Sequence, residues 1–269
     1  MPKGKKLRRM INMKKLLSIV LAVVMLCSCL AMFSSCGDDK FIIGYTLFEP
    51  MNYKDAEGNL TGFETEFALA VCEKLGYEAE FQIIDWEAKE VELNSKKIDC
   101  IWNGMTITPE RSEAMSISKP YMENKQVVVV KAENVEKYSN SANLKDAVIA
   151  AENGSAGEEV VAKDAIFANS ELLKVDKQTK ALLEVKSGTA DCAVIDYVAS
   201  IGLIGEGTDY EDLVVLDAYE FAKEEYGIAF RKEDTATRDE FQKAIDELIA
   251  DGTVEKIAKK YKLQDLIIK

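Results

Sequence analysis

Residues 102–111 read W-N-G-M-T-I-T-P-E-R. An apolar strand stops at Gly104 and a short polar loop follows. Thr108 and Pro109 then open a helix, as N-cap and first helical residue. Arg111 falls in the first turn of that helix, where the dipole disfavours a cation. A cation so placed favours an anionic partner, and the free amides of the helix start do the same. A guanidinium grips a carboxylate through two parallel hydrogen bonds. Thr106 and the backbone of Gly104 can add to them. The structural alternative is a surface arginine paired with Glu110 or Glu113.

A second anion-receptive start follows the strand at 147–151, in A-E-N-G-S-A-G at 151–157. Such a loop is also a common tight turn. Asp196 ends the apolar strand that begins at Cys192, with no basic residue beside it in sequence. A carboxylate there could hold an ammonium, or it could cap the helix that begins at Tyr197. Trp86 stands at another strand end and Phe48 in the first loop. Either is core, or an apolar plane for a ligand side chain.

These residues need rigid elements beneath them, and the pattern supplies alternating strands and helices. Strands are expected at 41–46, 78–85, 98–103, 126–132, 147–151, 172–175, 192–195, 213–216 and 227–231. Helices are expected at 61–75, 87–95, 157–167, 177–187, 197–205, 236–250 and 253–261. Strands separated by helices mean an α/β sheet with parallel strands. S-K-K-I-D-C-I-W-N-G at 95–104 is echoed by S-G-T-A-D-C-A-V-I-D at 187–196. The echo pairs Asp99 with Asp191, Cys100 with Cys192 and Gly104 with Asp196, and suggests two similar lobes. Ligands of open α/β sheets bind beyond the carboxyl ends of strands, where Gly104 and Asp196 both fall.

The chain has 269 residues and a formal net charge of −13. Residues 1–35 hold seven of the 34 Lys and Arg and none of the 47 Asp and Glu, so the remainder carries −20. So acidic a surface repels phosphate backbones, and nucleic acid is not expected as a partner. There is no histidine, which excludes Ser–His–Asp and Cys–His chemistry and histidine metal sites. No metal or cofactor is expected. The order of the first 35 residues is that of a secretory signal: a basic start, an apolar run at 16–33, then Ser34 and Ser35. The run is also long enough to span a bilayer as an uncleaved anchor. Cys36 follows at once, and this small-small-Cys-Gly stretch resembles the lipobox of bacterial lipoproteins. That resemblance implies a lipid on Cys36, residues 36–40 as a linker, and the outer face of the cell membrane as the location. Phe33 departs from the usual pattern, and Cys29 is the second candidate. Cys72, Cys100 and Cys192 sit in apolar stretches and read as small buried thiols.

Longer stretches carry a broader resemblance. G-Y-T-L-F-E-P-M-N-Y-K at 44–54, G-N-L-T-G-F-E-T-E-F-A at 58–68, N-G-M-T-I-T-P-E-R-S-E-A-M-S-I-S-K-P-Y at 103–121, G-S-A-G at 154–157, D-C-A-V-I-D at 191–196 and E-Y-G-I-A-F at 225–230 resemble the polar-amino-acid solute-binding proteins of ABC importers. The likeness covers nearly all of residues 40–265. It implies an α/β, two-lobe clamshell of the type II periplasmic-binding-protein kind, each lobe a mostly parallel sheet flanked by helices. Residues 41–125 and 225–269 would form one lobe and 126–224 the other, with hinge strands near 122–128 and 220–226. By this resemblance Arg111 holds a ligand's α-carboxylate, helped by Thr106 and the amide of Ser155 or Ala156. Asp196 and the carbonyl of Gly104 take its α-ammonium. Phe48 and Trp86 flank its side chain, while Tyr45, Glu49 and Asn103 line the pocket. The implied partners are a free amino acid, a permease and a membrane reached through the lipid, with the protein itself a monomer. An exported dehydratase-like enzyme of the same fold is the alternative, and it would need an acid or base beyond the clamp.

Overall fold

A computed structural model describes residues 40–269. The expected signal segment 1–35 and the lipidation candidate Cys36 lie outside the described residues. In chain order the first strands are β1 (Lys40–Tyr45), β2 (Tyr53–Lys54), β3 (Leu60–Thr61), β4 (Glu78–Ile83), β5 (Cys100–Ile101), β6 (Ser116–Ile117) and β7 (Met122–Lys131). Then come β8 (Val148–Glu152), β9 (Glu171–Val175), β10 (Cys192–Asp196), β11 (Leu213–Val215), β12 (Lys223–Tyr226) and β13 (Ala229–Phe230). The α-helices are α1 (Phe63–Leu75), α2 (Lys89–Asn94), α3 (Pro109–Ala114), α4 (Val135–Tyr138), α5 (Ala156–Lys163), α6 (Gln178–Ser187), α7 (Tyr197–Leu203), α8 (Thr235–Ala250) and α9 (Thr253–Lys260).

Two main sheets result. The first has the order β4-β1-β5-β13-β6, and the second β11-β7-β10-β8-β9 with β12 also paired to β7. Both are mixed, where mostly parallel sheets were expected. Strands β4 and β5 pair with β1 in parallel, as β9 and β10 do with β8. Helical crossovers return the chain in the same direction and so make these pairs parallel. Strand β7 follows β6 of the first sheet, and β13 follows β12 of the second. Having crossed between sheets, both pair antiparallel with their neighbours.

The crossings themselves form a ladder. Met122–Lys125 of β7 pairs antiparallel with β12, and β7 then continues into the second sheet. After β13, helices α8 and α9 return to pack against α1 and the first sheet. Phe41 of β1, Phe230 of β13 and Phe241 of α8 pack there, with the rings of Phe41 and Phe241 4.4 Å apart. A fully buried Phe side chain contributes about 1.5–3 kcal/mol by leaving water.

The internal echo has a structural counterpart. Asp99 accepts the amide of Ile42 on β1, and Asp191 accepts that of Val148 on β8, each at 2.9 Å. The amides of Asp99 and Asp191 return bonds to the same two residues, at 2.7 and 2.8 Å. The same aspartate thus starts a parallel pair in each sheet. Cys72, Cys100 and Cys192 are buried free thiols, as their apolar settings suggested.

Candidate functional site

The carboxyl ends of β1, β5, β8 and β10 converge on one small cavity of about 20 Å³. Its wall consists of Thr46, Phe48, Trp86, Asn103, Gly104, Thr106, Arg111, Glu152, Ser155, Ala156, Gln178 and Asp196. That volume is little more than the room a water needs. Any larger solute enters only when the walls part.

Arg111 reaches the wall from α3, whose start is built as the sequence suggested. Thr108 caps the helix, its Oγ1 accepting the Arg111 amide at 3.2 Å, and Pro109 is the first helical residue. The side chain is 6% exposed. It donates through Nη1 to the Thr106 carbonyl (2.8 Å) and through Nη2 to the Gly154 carbonyl (3.2 Å). Among the described residues no carboxylate forms an ion pair with it, so the surface pairing with Glu110 or Glu113 is absent. Burial holds its pKa below the usual guanidinium value. A buried cation held only by carbonyls carries an unrelieved desolvation cost, which a carboxylate would relieve.

Asp196 stands in the same cavity on the second sheet, 7% exposed. Its side chain does not cap α7. Asn124 Nδ2 (2.5 Å) and Gln126 Nε2 (2.8 Å) donate to its Oδ1, and Gln178 Nε2 donates to its Oδ2. These amides orient the carboxylate without neutralising it, and burial raises its pKa. Asn124 and Gln126 also donate to Glu224 Oε2 at 3.0 Å each, and Thr106 Oγ1 does so at 3.0 Å. Burial, then the nearby Asp196 charge, raises Glu224 as well. The β7–β12 ladder is therefore wired to both Thr106 and Asp196.

Gly104 has φ +53°, and a Cβ there would lie 2.4 Å from Phe48 Cε1. The position needs glycine, both for its left-handed backbone and for that close approach. The Gly104 amide donates to the fully buried Glu64 carboxyl at 2.8 and 3.1 Å, and the Tyr121 hydroxyl donates to the same group. Burial pushes Glu64 up to about 7. Asn103 is committed to its neighbours. It accepts from the Thr46 amide and hydroxyl (3.0 and 2.7 Å) and donates to Thr46 O and Asn52 Oδ1 (3.0 and 2.9 Å).

At the start of α5 the Ser155 hydroxyl accepts the Glu158 amide at 3.1 Å, and the Ser155 amide bonds to Glu152 O at 3.2 Å. The amide of Ala156, the first helical residue, has no carbonyl a turn earlier in the helix to bond. Trp86 and Phe48 both line the cavity, 6% exposed each. Lys89 Nζ lies 4.8 Å from the Trp86 ring centroid and donates to Trp86 O (3.1 Å) and Gly154 O (3.2 Å). Burial, then the Arg111 charge, lowers Lys89 to about 8.

Two expected lining residues lie elsewhere. Tyr45 is buried against Phe81, their rings edge to face at 5.9 Å, and the next residue, Thr46, lines the cavity instead. Successive strand residues face opposite sides, so a one-residue displacement exchanges wall for core. Glu49 sits in the tight turn closed by the Phe48–Asn52 bridge, partly buried and outside the wall. Thr46, Glu152 and Gln178 line the cavity without having been singled out. Glu152 had a usable signal, since it stands at the carboxyl end of β8 as Gly104 and Asp196 stand near theirs. Asn124 and Gln126 stand two apart on the buried face of β7, in its polar first half beside Glu123 and Lys125, where the sequence carries no mark of burial.

Residues 41–264 match the model of bacterial extracellular solute-binding proteins, family 3. The arginine-binding extracellular protein ArtP of Bacillus subtilis is 32% identical over 234 residues, 85% of this chain and 88% of that protein. An ancestral arginine-binding protein bound to arginine superposes with TM-score 0.75 at 33% identity, covering 82% of this chain and 97% of that one. An ABC uptake transporter substrate-binding protein from Streptococcus pneumoniae with bound histidine gives TM-score 0.77 at 30% identity, covering 86% and 95%.

Proposed function

The chain belongs to the bacterial extracellular solute-binding proteins, family 3, and we propose that it binds a free amino acid between two lobes and delivers it unchanged to an ABC importer. Residues 41–125 and 225–269 act as one lobe and 126–224 as the other, hinged at β7 and β12. Arg111 takes the α-carboxylate, with the Ala156 amide beside it. Asp196 and the Gly104 carbonyl take the α-ammonium, and Phe48 and Trp86 flank the side chain. The observation that carries this reading is the pair in one cavity without an ion pair of its own: Arg111 held by carbonyls, Asp196 held by uncharged donors. A zwitterion supplies both missing charges at fixed separation. Only the closed state completes both contacts, so binding favours closure. The binding-protein names of the relatives support transport over catalysis.

Arg111→Ala tests the site. It leaves the ligand carboxylate unpaired in a buried cavity, which costs about 2–5 kcal/mol, or roughly 30-fold to several-thousand-fold in affinity. Calorimetry showing unchanged affinity contradicts the assignment. The protein is exported and tethered at the outer face of the membrane by a lipid on Cys36. Cys36→Ser is expected to release it from the membrane fraction. Continued membrane association with an uncleaved N-terminus indicates a signal anchor instead.

A further inference from the structure

With Arg111 and Asp196 assigned to the ligand's α groups, one ionisable group of the wall is left over. Glu152 ends β8 and is 6% exposed. It lines the cavity, and among the described residues no cation forms an ion pair with it. The charge of Asp196 acts on it more strongly than that of Lys89. Lys89, which lies over the Trp86 ring, acts on Glu152 through its charge, and Gln178 hydrogen-bonds it from the Asp196 side. About the cavity, Arg111 and Lys89 are the cations, while Asp196, Glu152 and Glu224 are carboxyl groups. A zwitterionic head is met by Arg111 and Asp196, so Glu152 is left in the wall without a cationic partner among the described residues after the head is bound.

We propose that Glu152 reads the ligand's side chain and selects an amino acid whose side chain ends in a cation, of the arginine or lysine kind. This rests on the amino-acid reading of the site. A cationic end that reaches this part of the wall meets the Glu152 carboxylate in a charge-assisted hydrogen bond. In the unliganded protein burial, the Asp196 charge and Asp176 push Glu152 up to about 8, against the opposing charge of Lys89. Binding of a cationic side chain therefore displaces a proton from Glu152 at neutral pH. Affinity for such a ligand rises from pH 6 to pH 8, while affinity for a neutral one does not gain from this group. Lys89 titrates in an overlapping range, so the pH effect is read as the difference between wild type and Glu152→Gln.

The experiment is calorimetry of wild type and Glu152→Gln with arginine, lysine, glutamine and leucine. Wild type is expected to bind arginine or lysine at least about tenfold more tightly than glutamine. Glu152→Gln is expected to reduce that preference, read as the ratio of arginine or lysine affinity to glutamine affinity in the same variant, by about tenfold or more. A wild-type preference for glutamine or leucine overturns the proposal and leaves the amino-acid reading standing. Equal losses for all four ligands also overturn it, and assign Glu152 to the shared ammonium. So does an unaltered preference in the variant. If wild type binds no amino acid at all, the functional reading itself fails.

Discussion

At the scale of single residues, the site is a set of charges buried before their partners arrive. The sequence made Arg111, Asp196, Phe48 and Trp86 visible because unusual chemistry stood at strand and helix ends. Glu64 was one among 47 acidic residues and only burial distinguishes it, whereas Glu152 also stands at a strand end. Tyr45 was one position from Thr46, and no local pattern says which of two neighbours faces a cavity. The buried acids imply a specific pH response. Their folded pKa values, about 7 for Glu64 and about 8 for Glu152, lie above the ordinary 4.5. The folded state then binds more protons than the unfolded state between those limits. Stability is highest near the ordinary carboxylate range and declines as pH rises towards 8. Lys89, depressed to about 8, acts above that window. Thermal melts of unliganded protein from pH 5 to 8 are expected to fall, and Glu64→Gln is expected to flatten the decline. An equally steep fall in the variant removes Glu64 from the account.

At the scale of elements, the long helices and the apolar strands were legible because their periodicity extends over many residues. Helix α6 was expected at 177–187 and spans 178–187; α8 was expected at 236–250 and spans 235–250. Strands β2, β3 and β6 were not, since two residues carry no period. Strand β12 runs K-E-E-Y, and its pairing with β7 decides its form rather than its composition. Element packing also marks a closure contact. On α7, a Cβ at Gly202 would lie 3.0 Å from Pro50 N and Cδ and 3.2 Å from Glu49 C. Helix α7 follows the second sheet, while Pro50 belongs to the loop after β1 of the first. A larger side chain at Gly202 opposes that approach, whereas the separate sheets are untouched. Gly202→Val is expected to weaken ligand binding by about tenfold or more without lowering the melting temperature of unliganded protein. Full affinity in that variant shows that closure does not bring α7 onto Pro50.

At the scale of the whole molecule, the two sheets meet at opposite charges. Arg111 and Thr106 stand on the side of the first sheet, Asp196 and Glu152 on that of the second. The Asn124–Gln126–Glu224 network joins the connecting ladder to both. The two-sheet plan was foreshadowed by the Asp99 and Asp191 echo, because the same bond pattern starts both parallel pairs. The mixed pairing was not, because periodicity reports strands but not the direction in which the chain returns after crossing. A cavity of about 20 Å³ holds no amino acid until the walls part. On the proposed reading, ligand binding is coupled to opening and closing, and closure shapes the surface offered to a permease.

The central claim is that this cavity recognises both charged groups of a free amino acid. The most direct measurement is calorimetry with the best-binding proteinogenic amino acid, its N-acetyl derivative and its carboxyl methyl ester. The intact zwitterion is expected to bind, and each blocked derivative to bind at least about a hundredfold more weakly, since each leaves Asp196 or Arg111 buried without its partner. Equal binding of either blocked form, or binding of no amino acid at all, would contradict the account.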